Sequence, residues 1–452
     1  MTDIVQKLWA LCDNLHDDGL HYGDYIEQLT YLLFLKMAEE KGIAIPAKYN
    51  WQTLMDQSGK ALIDHYEEVL KNLGKEKGVL GDIFAQSNNK FRNPVSLTKV
   101  IRALDNEEWS SIDVDVKGAA YEGLLAKYAA EQKGAGQYFT PRELIRTIIK
   151  CVDPKHNETI HDPACGTGGF LTGAFEHIME AYEQGKIKLK REEWEFLQKK
   201  AISGGELVWE TRRLCIMNLY LHEIESNILY GDSLKEKYGE GYNCIATNPP
   251  FKKSNSIAYS RDDFFTITSS RQLNFLQHCM SILAPKGRCA MVMPDNVLFE
   301  GGAGTKIRKM LLDNFNLHTI IRLPNGVFTP YAAGVKTNVI FFEKTDKKTK
   351  ELWFYDQRTN VEKIAKRKPL TPDYFDDFLK CYADRSTETE RWKKFSYEDL
   401  EKRDWNLDIK WLKDENFDDP SNLPEPEVLI SESVEYLKDA IKKLENLQSN
   451  LK

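Results

Sequence analysis

Basic excess, paired cysteines, clustered histidines and long apolar runs are all missing from this chain, and each absence removes a class of function. Its 452 residues carry 69 acids against 62 bases, a net charge of -7. A protein that grips duplex nucleic acid unaided usually shows a basic footprint, so weak affinity for DNA or RNA is expected of this chain alone. Local basic stretches at 344–350 and 363–368 read as solvated loops or phosphate contacts. No run of about 18 apolar residues is present to span a bilayer. The start, Met1-Thr2-Asp3-Ile4, lacks the basic region and apolar stretch of a secretory leader, so a cytoplasmic protein that makes no membrane contact is expected. Eight cysteines are scattered without a CxxC pair, and reduced, structural thiols are expected. Nine histidines form no HxH or HExxH group, and no metal is expected. The nearest approach to a GxxxxGK[ST] phosphate loop, Gly301-Gly302-Ala303-Gly304-Thr305-Lys306, has the wrong spacing and reads as a loop.

What is present suggests two or three domains, with 42% hydrophobic residues to build their cores. Residues 1–132 read as helical, with apolar positions at three and four spacing over 4–15, 25–37 and 54–73 and a closing helix over 113–132. Across 133–345 short apolar runs alternate with helical stretches, and 288–293, 317–323 and 338–343 are the later strands. Such alternation predicts an α/β fold with a mostly parallel, doubly wound sheet. Residues 346–425 are charged with interspersed aromatics and read as a C-terminal extension. In 426–452, Ile430, Val434, Leu437, Ile441, Leu444 and Leu451 form a narrow seam. A helix packing back on its own domain and a helix docking on a helical partner both account for it.

Two segments carry the chemistry. The apolar run Cys244-Ile245-Ala246-Thr247 reads as a buried strand and leads into Asn248-Pro249-Pro250-Phe251. Open α/β sheets place their chemistry at such carboxyl ends. The prolines bar a helix and leave acceptors without ladder partners, namely the Asn248 side-chain oxygen and the Pro249 carbonyl. An exocyclic amine on a planar ring has two N–H donors to match them, with Phe251 free to stack on the ring. A proline-stiffened loop with an aromatic plug is the alternative.

The second segment follows the short strand Thr159-Ile160-His161. It is Asp162-Pro163-Ala164-Cys165-Gly166-Thr167-Gly168-Gly169-Phe170, ahead of a helix over 171–183. Strand, glycine turn and helix make the front half of a nucleotide-binding βα unit. The glycines crowd together instead of following the dinucleotide spacing, and Asp162 precedes them. That composition suits a zwitterionic cofactor better than a pyrophosphate. Cys165 reads as a small residue filling the turn or as a reactive thiol.

A glycine turn after the first strand together with NPPF after the fourth resembles the amino-methyltransferases that use S-adenosylmethionine. Further segments narrow the resemblance: Tyr121-Glu122-Gly123-Leu124-Leu125, Gly134-Ala135-Gly136-Gln137-Tyr138-Phe139-Thr140-Pro141-Arg142, residues 8–41, and 283–343 with Leu323-Pro324-Asn325-Gly326-Val327-Phe328. In order and spacing they resemble the modification (DNA methyltransferase) subunit of type I restriction-modification systems, over most of residues 1–345.

The resemblance implies a methyltransferase fold with an N-terminal helical domain and a C-terminal helical tail. It implies methyl transfer from S-adenosylmethionine to N6 of an adenine flipped out of double-stranded DNA. Asn248, Pro249, Pro250 and Phe251 would be catalytic. Gln137, Tyr138, Phe139, Thr140, Pro141 and Arg142 would lie at the cofactor's methionine end, with Asp162, Ala164, Gly166, Thr167, Gly168 and Gly169 forming the turn beside it. Glu206 would accept from the ribose hydroxyls and Asp232 from the adenine amine of the cofactor. A helix N-terminal acid and an Asx turn are the alternatives for these two acids. The implied partners are a DNA specificity subunit, a second copy of the modification subunit and a restriction (translocase/nuclease) subunit. The competing functions are an N4-cytosine or other amine or amide methyltransferase of the same fold, and a non-catalytic scaffold that binds S-adenosylmethionine.

Overall fold

The computed structural model describes residues 22–109, 111, 121–125, 139–225, 227–251, 259, 261–328, 335–365 and 368–413. Several expectations lie outside these residues: the helix over 4–15, most of the one over 113–132, Gln137 and Tyr138, and the seam over 430–451. Nine strands are described: β1 (Ile160–Asp162), β2 (Ile202–Glu206), β3 (Asn227–Tyr230), β4 (Tyr242–Thr247), β5 (Leu283–Pro294), β6 (Asn316–Arg322), β7 (Thr337–Glu343), β8 (Glu351–Asp356) and β9 (Trp392–Ser396). They pair into one sheet in the order β3-β2-β1-β4-β5-β7-β6-β8-β9. The first five strands run parallel, β7 is antiparallel to both its neighbours, β8 is parallel to β6, and β9 closes the edge antiparallel. The expected mostly parallel α/β sheet is therefore present, with an antiparallel insertion on one side.

The order places a switch point between β1 and β4. The chain winds outward from β1 to β3, then returns to lay β4 against the other side of β1, with Ile160 opposite Cys244. Loops at the carboxyl ends of two such strands diverge and leave a crevice. The glycine turn leaves one of them and Asn248 leaves the other.

Helices cover the sheet because their apolar stripes face it. In Arg142–Val152, Leu144, Ile145, Ile148 and Ile149 are buried together. The helix Trp209–Leu221 is buried from Thr211 through Leu221, which a two-sided environment requires. Its outer face meets the N-terminal helices. Arg213, 2% exposed, pairs with Glu27, donates to the Ala85 carbonyl at 2.9 Å and lies 5.0 Å from the Tyr31 ring centroid. Arg212 reaches Asp82 at 2.8 Å, and the Trp209 indole donates to Ala85.

The chain divides into two units, residues 1–358 with 362–410 and residues 359–361 with 411–452. The sheet continues past residue 345, where the sheet domain was expected to end. Leu352 through Asp356 of β8 are all buried, and the Trp353 and Trp392 rings stack 5.0 Å apart to hold β9 on the edge. Gly301-to-Lys306 also departs from the expected loop, because the helix Ala303–Asn314 starts within it after Gly302 turns the chain at φ 62°.

Candidate active site

Four strand ends converge on the crevice, and each delivers one expected group. At the end of β1, Asp162 is 1% exposed and its Oδ1 accepts from the Ala164 N–H at 3.0 Å. Burial pushes its carboxyl up to about 7, with the neighbouring Glu206 charge adding to the shift. The turn that follows is tied down at every step. Cys165 N–H donates to the Gly205 carbonyl at 3.0 Å, Gly168 N–H to the Cys165 carbonyl at 2.8 Å, and the Asn218 amide to the Thr167 carbonyl at 3.0 Å. Gly168 has φ 87°, and a β-carbon there would lie 2.9 Å from the Cys215 sulfur. Cys165 is buried with its sulfur 3.8 Å from that of Cys215, as a filler of the turn would be.

Glu206 ends β2. One carboxylate oxygen accepts from the Gly166 N–H at 3.1 Å and the other from the Val208 N–H at 2.8 Å. Val208 caps the helix Trp209–Leu221, so the acid braces a helix start as well as facing the turn. Burial raises its pKa. Asp232, just beyond β3, accepts from the Leu234 N–H at 3.0 Å in an Asx turn, and the Tyr259 hydroxyl lies 3.4 Å from its other oxygen. Both alternatives weighed for these acids are therefore present as local structure, at the carboxyl ends of neighbouring strands β2 and β3.

Asn248 follows β4. Its Nδ2 donates to the Thr140 hydroxyl at 3.0 Å, and its Oδ1 is buried with no hydrogen-bond partner among the described residues. A buried acceptor left unpaired costs about 1–3 kcal/mol and calls for a reason. Pro249 is buried and Pro250 half-buried behind it. The Phe251 carbonyl accepts from the Gln272 amide, and the Phe251 ring meets the Phe328 ring edge to face, with centroids 6.1 Å apart. Phe328 ends the Leu323-to-Phe328 segment, whose sequence alone does not show what it touches.

Phe139, Thr140, Pro141 and Arg142 run into the helix Arg142–Val152 across from the glycine turn. A small pocket lies between them, lined by Phe139, Thr140, Arg142, Thr167, Gly169 and Asn218 among others. Arg142 anchors its far wall by pairing with Glu122 at 3.2 Å and Glu176 at 2.7 Å. Glu122, Glu176 and His222 place their ligand atoms within 4.8 Å of one another, but the guanidinium already bridges both carboxylates where a cation would sit. Sequence reasoning found Arg142 and quoted Glu122 without a role; it missed Glu176 and His222, and also Asn218, a buried polar residue of the helix Trp209–Leu221.

Comparison with known proteins identifies the family. The family model described as N-6 DNA Methylase matches residues 112–417, and that of the HsdM N-terminal domain matches residues 4–42. The chain is 40% identical to the type I restriction enzyme StySPI methylase subunit of Salmonella potsdam, covering 100% of this chain and 95% of the relative. It is 35% identical to the M protein of the type I restriction enzyme EcoKI in a crystal structure, with a TM-score of 0.56 and coverage of 100% and 96%. A chain from a structure addressing complex assembly of a type I R-M system matches with a TM-score of 0.77 at 26% identity, covering 100% of this chain and 98% of that one. Family models, full-length identity and structural similarity agree, and the chain belongs to the N6-adenine DNA methyltransferases that form the methylase subunits of type I restriction enzymes.

Proposed function

We propose that this subunit methylates N6 of an adenine flipped out of duplex DNA, with S-adenosylmethionine as donor and a separate specificity subunit reading the target. Asn248 carries the proposal. Its Oδ1 is a buried acceptor with no partner among the described residues, at the carboxyl end of β4, the strand that pairs with β1. The residues of the glycine turn and the neighbouring strand ends suit the cofactor. The glycine turn has no lysine or arginine to favour a pyrophosphate, and two acids, the buried Asp162 and the half-buried Glu206, face it from the strand ends.

In this reading Asp162, Ala164, Gly166, Thr167, Gly168 and Gly169 would hold the cofactor's methionine portion, with Phe139, Thr140, Pro141 and Arg142 opposite. Glu206 takes the ribose hydroxyls and Asp232 the adenine amine. When bound, S-adenosylmethionine supplies a sulfonium methyl for attack by the target amine. Asn248 Oδ1 and the Pro249 carbonyl accept from the two N–H bonds of that amine, which favours a pyramidal nitrogen with its lone pair free. Phe251, backed by Phe328, stacks on the extruded base. No strong base is required before transfer, so orientation and fixed dipoles lower the barrier.

The helical front over 1–132, the sheet domain and the tail over 426–452 are proposed as the assembly parts of a cytoplasmic complex. It would hold a second modification subunit and, where present, a restriction subunit. The net charge of -7 favours a DNA grip shared with such partners. The test is nucleoside analysis of DNA from cells that express the chain with its specificity-type partner, against an Asn248→Ala control. N6-methyladenine lost in the variant and absent without the partner is the expected result. Methylcytosine, or no modified base, would overturn it.

A further inference from the structure

An amide side chain has one end that accepts and one that donates, and only the accepting end can meet an amine's N–H. Free rotation about the last side-chain bond would present either end to the substrate. The wrong end would set donor against donor. Asn248 therefore needs something to hold its NH2 away from the target, and the described residues supply one such group: Thr140 Oγ1, 3.0 Å from Nδ2. Thr140 lies 108 positions earlier in the chain, on the far wall of the cavity from the glycine turn. Its hydroxyl can accept from the NH2 and leave Oδ1 as the unused half of the amide.

We infer that Thr140 is a positioning residue for the methyl-transfer reaction, fixing the Asn248 amide so that its oxygen meets the target amine. This rests on the reading of Asn248 as the acceptor for that amine. It assigns Thr140 a duty toward the substrate side of the site, in addition to the cofactor wall on which it stands. The contact also joins the segment before the helix Arg142–Val152 to the end of β4, so ordering of one wall orients the reactive group on the other.

The test compares Thr140→Val and Thr140→Ser with the wild-type chain, each in complex with the specificity-type partner. Unmethylated genomic DNA from cells lacking both subunits is the acceptor. Valine keeps the shape and removes the hydroxyl, while serine keeps the hydroxyl and removes a methyl. Thr140→Val is expected to lower kcat at saturating S-adenosylmethionine by roughly tenfold or more, the scale of one oriented hydrogen bond, with melting temperature little changed. Thr140→Ser is expected to recover most of the rate.

A loss of cofactor affinity that accounts for the whole rate defect would make Thr140 only a cofactor contact and overturn the inference. So would a Thr140→Val enzyme with wild-type kcat, or a serine variant as slow as the valine one. A wild-type complex that methylates no adenine would instead remove the reading on which the inference rests.

Discussion

The carboxylate of Glu206 holds the N–H of Gly166 at 3.1 Å, so the acid at the end of β2 and the glycine turn after β1 are one structural piece. Its other oxygen is taken by Val208 N–H. Replacing Glu206 should therefore disturb both the proposed ribose acceptor and the turn beside it. Glu206→Ala is expected to weaken S-adenosylmethionine binding by about 10–100-fold, the range for hydrogen bonds to a charged group. Glu206→Gln keeps one acceptor oxygen and should fall between the two. Calorimetric titration would read this directly, and a Glu206→Ala chain with wild-type affinity would assign the residue to the helix start alone.

Gly168 is required for two independent reasons. At φ 87° an L-residue is strained, and a β-carbon would sit 2.9 Å from the Cys215 sulfur in a packed interior. Gly168→Ala is expected to cost about 1–3 kcal/mol of stability and to lower the melting temperature by several degrees. Gly301→Ala is the control, since nothing lies within 4 Å of the added carbon, and its effect should stay within about 0.5 kcal/mol.

The same contrast explains what could be read from the chain and what could not. Strands β4 and β7 announce themselves as short apolar runs, and Asn248 and the glycine turn are contiguous motifs placed by the strands before them. β8 was within reach. Leu352-Trp353-Phe354-Tyr355 is a continuous apolar run that is buried throughout, but it lies in a charged stretch. β9 was not, because Lys393 and Lys394 interrupt it and its place depends on Trp392 meeting Trp353. Contacts such as Thr140 to Asn248, Phe328 to Phe251 and Arg142 to Glu176 join residues far apart in sequence, and no local pattern encodes them.

Arg213 tests how the helical front is held. Its guanidinium is 2% exposed and serves Glu27, the Ala85 carbonyl and the Tyr31 ring at once. Removing one partner of a buried pair leaves the other uncompensated, at about 3–5 kcal/mol. Arg213→Ala should melt well below wild type, and limited proteolysis should cut first among residues 22–109. Cleavage that began in the sheet strands instead would show that other contacts hold the front.

Asp162 makes the site sensitive to pH. Its folded pKa of about 7 stands above the ordinary carboxylate value because burial disfavours the charge. With the folded value raised, the contribution of Asp162 to stability is fully present below the unfolded pKa. It is lost as pH rises through about 7. Between pH 5 and 8 the unliganded chain should therefore lose stability relative to Asp162→Asn, which does not titrate. Cofactor affinity should move the opposite way. A cationic ligand beside the turn favours the ionised carboxylate, so binding of S-adenosylmethionine should tighten as pH rises through about 7 and release a proton below it. Calorimetry in buffers of different ionisation enthalpy measures that proton. A flat affinity with no proton release would mean that Asp162 only organises the turn through Ala164.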